Sequence, residues 1–76
     1  MQKKTVEYDS SIDALVALAK RLSSYEDRLH MTSEEFFDKF SKGQLEDDIQ
    51  FVEWSNDYQH YMAIRLAIER QLQDVA

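Results

Sequence analysis

A chain of 76 residues holds one domain at most, and 15 acids against nine Lys and Arg give it a formal charge of −6. That sign repels a phosphate backbone, so autonomous nucleic-acid binding is not expected, whereas an oppositely charged protein partner is favoured. Without cysteine there is no disulfide, thiolate nucleophile or cysteine-zinc site.

Residues 1–9 carry no sustained pattern, although Val6 and Tyr8 could pack beside the first helix. That helix is predicted over about 11–30, with Ser10 or Ser11 as its cap. Ile12, Leu15, Val16, Ala19, Leu22, Tyr25 and Leu29 then recur at helical spacing. Near its end, Glu26 and His30 are four apart, and His30 suits the negative pole of the helix.

A second, short helix is predicted over 33–42. Thr32 followed by Glu35 is a capping box, and Met31 is placed to staple onto Phe36. Gly43, the only glycine, follows the cationic Lys42 and supplies a left-handed stop. Phe36, Phe37 and Phe40 fall within about one turn of each other. So short a helix has to dock them on something to persist.

The third helix is predicted over 47–73, opened by Glu46, Asp47 and Asp48 at its positive pole and free of proline or glycine. At about 1.5 Å per residue it should outreach helix one. One stripe holds Phe51, Trp54, Tyr58, Tyr61, Arg65, Ile68 and Leu72. An adjoining stripe holds Val52, Ser55, Met62 and Leu66. Two stripes make a wider apolar face than one partner helix covers. The second is left for helix two, a symmetry mate or a foreign chain.

The fold expected is therefore all-α, a single helical domain over 1–76. Two long helices form a hairpin, a short helix lies between them, and dimerisation completes a bundle. No apolar run approaches the roughly 20 residues of a membrane span and no signal peptide is read at the N-terminus, so a cytoplasmic location is expected.

Catalytic signals are sparse. Glu53, Asp57 and His60 lie at i, i+4 and i+7, but a di-iron site needs Glu-x-x-His on two helices and only residues 57–60 approximate one. A solvated polar face accounts for these residues, and neither a metal nor any other cofactor is expected. The serines include no nucleophile elbow, and one glycine cannot build a phosphate loop.

Trp and Tyr are enriched among the residues that dominate interfaces. The expected partner-binding set is therefore Phe51, Trp54, Tyr58, Tyr61, Met62 and Arg65, with Glu53 and Asp57 as steering charges at the rim.

The block from Met31 to Trp54, MTSEEFFDKFSKGQLEDDIQFVEW, resembles small acidic bacterial proteins of the antitoxin type from toxin–antitoxin pairs. Ser33, Glu34, Glu35, Phe36, Lys39, Phe40, Gly43, Leu45, Asp47, Asp48, Phe51, Glu53 and Trp54 carry the resemblance across the middle third of the chain. It implies a noncatalytic protein that binds and neutralises a basic toxin, with operon control in some related systems. The chain departs from DNA-binding antitoxins in lacking a basic arm or ribbon. The alternative is a homo-oligomeric structural or adaptor protein without a toxin. A metal-dependent enzyme is a third class, resting only on Glu53, Asp57 and His60.

Overall fold

The computed structural model describes the backbone of residues 2–75 and the side chains of residues 11–73. Three helices follow in the order long, short, long: α1 (Gln2–Leu29), α2 (Ser33–Ser41) and α3 (Ile49–Val75). Arg21 meets Asp57, Tyr25 meets Trp54 and Arg28 meets Gln50, so α1 and α3 run antiparallel. They form a hairpin 46 Å along its greatest extent. Helix α2 packs on one face of it at the end where α1 stops and α3 starts.

The turn after α1 is a six-to-one closure. Met31 N–H donates to the Glu26 carbonyl at 3.4 Å, and His30 adopts a left-handed conformation with φ of 55°. Glu26, four residues before His30, accepts from Ser33 N–H at 2.9 Å. A carboxylate from α1 therefore sits on a free amide at the positive pole of α2.

Thr32 is the N-cap of α2, its hydroxyl accepting from Glu35 N–H at 3.1 Å. The Glu35 carboxylate lies 3.6 Å from Lys39, and Met31 packs on the cluster around Phe36. At the other end Gly43 takes φ of 73°. Its N–H reaches the Phe40 carbonyl at 3.1 Å, and Gln44 N–H reaches that of Lys39 at 3.0 Å. This pair of bonds is a Schellman closure, which requires the left-handed residue.

Two helix starts, and the relative length of the long helices, differ from those expected. Helix α1 starts at Gln2, not at Ser10 or Ser11, because residues 2–10 contain no proline or glycine to break it. Serine caps only where the preceding backbone leaves the helix. The packing expected of Val6 and Tyr8 lies outside the described residues. Helix α3 starts at Ile49, with Asp48 as cap, its side chain accepting from Gln50 N–H at 2.8 Å. With 28 residues in α1 and 27 in α3, neither long helix outreaches the other.

The core is a stack of rings. Trp54 lies flat on Phe36 with centroids 3.9 Å apart and planes 5° from parallel, and Tyr25 covers the other side of the indole at 5.4 Å. Trp54 and Phe36 are both 0% exposed. Phe40 extends the stack from Phe36 at 5.4 Å, and Phe51 leans against Phe36 at 5.7 Å with the planes 57° apart. The indole N–H donates to the Ser33 hydroxyl at 2.9 Å, which satisfies the one polar atom that burial would otherwise strand.

Candidate interaction surface

The ridge Tyr58, Met62, Leu66 climbs α3 at intervals of four residues, away from the last turn that α2 covers. Phe37 of α2 meets Tyr58 at 5.1 Å and closes one end. From there an apolar groove of about 660 Å³ runs along α3, bounded by Gln59, Ala63, Arg65, Leu66 and Glu69. A smaller hollow of about 340 Å³ adjoins it, sharing Tyr58, Met62 and Arg65 and reaching α1 at Ala19, Leu22 and Glu26. Met62 and Leu66 are 40% and 48% exposed, large apolar side chains left half in water. Ile12 and Val16 are also exposed and lie seven and three residues before Ala19, hence on the same side of α1. One face of the hairpin is thus covered by α2 at one end and open and apolar at the other.

Acids edge the opening. Glu26, Glu34 and Glu69 line the two hollows against one cation, Arg65, leaving two net negative charges. Arg65 is held by Glu69 at 3.2 Å along the same helix.

The residues expected to bind a partner divide between core, scaffold and groove. Trp54 belongs to the core, sealed between Phe36 and Tyr25, and cannot touch a partner in this fold. Phe51 and Tyr61 are half-buried and pack against that core. Asp57 is not a free rim charge: its carboxylate is bonded to Arg21 Nε at 3.0 Å and lies 3.4 Å from the Tyr25 hydroxyl, with its side chain 13% exposed. Arg65 pairs within its own helix and rims the groove. Glu53 is exposed. Tyr58 and Met62, both in the expected set, line the groove, and Phe37, Ala63 and Leu66, absent from that set, line it too.

Around Asp57 the electrostatics follow from contact. Its carboxylate raises the Arg21 pKa above the usual arginine value. Burial first, and then the Asp57 charge, raise that of Tyr25, while Arg21 opposes the rise. The pairing also engages the middle member of Glu53, Asp57 and His60. No cluster of three metal-ligating side chains is gathered among the described residues. No helix of the described residues is long and apolar enough to cross a membrane. No protein-family model, curated protein or solved structure matches the chain.

Proposed function

We propose that the chain is a noncatalytic binding protein of the antitoxin type, which captures a basic protein partner through the groove beside α2. The observation carrying this reading is the half-covered face: α2 fills one end and leaves Met62 and Leu66 exposed at the other, beside the half-buried Tyr58 and edged by acids. Covering the part of Met62 and Leu66 still in water contributes roughly 0.6–1.5 kcal/mol each, about half of what full burial of such side chains gives. The overall charge of −6 speeds encounter with a cationic partner and disfavours nucleic acid. Resemblance of residues 31–54 to antitoxin-like proteins supplies the physiological form, neutralisation of a toxin by occupation.

The test is co-expression with the basic product of an adjacent reading frame. Expected are a complex that copurifies and relief of growth inhibition, both weakened by Met62→Gln with Leu66→Gln. Absence of any complex, or a complex indifferent to those two substitutions, rejects the assignment. A second reading, a homo-oligomeric adaptor, is favoured by the same open face, since Ile12 and Val16 extend it across α1. Sedimentation over a wide concentration range separates the two: the adaptor is an oligomer whose dissociation is promoted by the paired Gln substitutions.

A further inference from the structure

We infer that the occupant of the groove is a single amphipathic helix with a cationic flank, taking on the second half of the face the position that α2 takes on the first. This deepens the partner reading above and rests on it.

The shape of the site favours a helix. Tyr58, Met62 and Leu66 form a ridge at spacing four, and Tyr61, Arg65 and Glu69 form the next one, so the surface between them is a groove of the kind that accepts the ridge of another helix. From Tyr58 to Glu69 it measures roughly 16 Å at about 1.5 Å per residue, or three turns. Ala63 of α3 and Ala19 of α1, lining the two hollows, put no bulk in the way of a close approach. The chain already solves the same problem internally. Helix α2 docks on the hairpin through Phe36, Phe37 and Phe40, at spacings of one and four, and no strand pairs there.

The charge favours a cationic flank. Of the groups lining the two hollows, Arg65 is engaged by Glu69, and Glu26 accepts from Ser33 N–H. Glu34 is exposed in the first turn of α2, at the mouth of the smaller hollow. A second copy of this chain would bring a further −6 to the contact, whereas Lys or Arg beside the apolar anchors would meet these carboxylates.

The probe is a synthetic peptide of about four turns with Leu on one face and Lys beside it. Two controls are used: a scrambled peptide of the same composition, and one with Glu replacing every Lys. Binding to the full chain is read by fluorescence anisotropy and by NMR shifts of the Met62 and Leu66 methyl groups. The expected result is a footprint on Phe37, Tyr58, Met62 and Leu66. Both control peptides, and the Met62→Gln with Leu66→Gln variant, should bind at least about tenfold more weakly.

Equal binding of the scrambled peptide, or a footprint on the Glu53 and His60 side, overturns the inference. So does self-association through the groove that excludes the peptide, since the occupant would then be a second copy. If the peptide fails while a basic protein partner still depends on Met62, the helix inference falls alone. If that partner ignores the groove substitutions, the partner reading falls with it.

Discussion

Ser33→Ala removes one oxygen, and the structure assigns that oxygen a specific task. The Trp54 indole carries a single donor, its side chain is 0% exposed, and its N–H lies 2.9 Å from the Ser33 hydroxyl. Alanine leaves the donor in an apolar ring stack with no acceptor, a cost of about 1–3 kcal/mol. Better helix propensity at the first position of α2 offsets roughly 0.5 kcal/mol of this. For a chain of this size, total stability is on the order of 4–11 kcal/mol, so the loss is measurable and not fatal. Trp54→Phe removes the donor, and in that background Ser33→Ala should cost less than about 0.5 kcal/mol. Urea unfolding followed by far-ultraviolet circular dichroism is the assay, because Trp54 is the only tryptophan and its fluorescence is lost in the cycle. Equal costs in the two backgrounds would refute the claim that this bond, and not the bulk of the serine, holds α2 to the hairpin.

His30→Gly should stabilise the fold by about 0.5–1 kcal/mol, read as a rise in urea midpoint, since His30 holds a left-handed φ of 55° that glycine adopts without strain. Gly43→Val should destabilise it by more than about 1 kcal/mol, although space is open around the new side chain, because φ is 73° there. Thr32→Ala should cost about 1 kcal/mol in the same assay through loss of the cap on Glu35 N–H. The raised pKa of Tyr25 means that the folded state keeps its phenolic proton more tightly than the unfolded chain. Stability from this source is therefore complete below about pH 10 and is lost as pH rises through the folded value. A pH series of unfolding curves should show a shallower alkaline loss in Tyr25→Phe.

Local punctuation was legible because it is chemistry between near neighbours. Thr32 with Glu35, and Gly43 after Lys42, mark the ends of α2 from residues within one turn, and the structure places both where those residues indicate. The start of α1 was not, since Ser10 and Ser11 suit a cap equally well when the helix passes through them. Within the aromatic stripe of α3, periodicity treats Trp54 and Tyr58 alike. What separates them is α2: Phe36 lies flat on the indole and Ser33 takes its N–H, while Phe37 leaves Tyr58 at the edge of the groove. The Arg21–Asp57 pair spans 36 residues. Its signal was register, because Arg21 stands eight residues before the end of α1 and Asp57 eight residues after the start of α3. Leu66 could have been found from the four-residue ridge it completes with Tyr58 and Met62.

Whether the open half of the hairpin face binds a basic partner is decided by mapping the footprint of that partner on the intact chain by methyl NMR. Shifts are expected at Met62 and Leu66, and none on the side of α3 that carries Glu53 and His60. A complex whose footprint lies on that polar side, with the methyl groups of Met62 and Leu66 unchanged, would contradict binding at the open half.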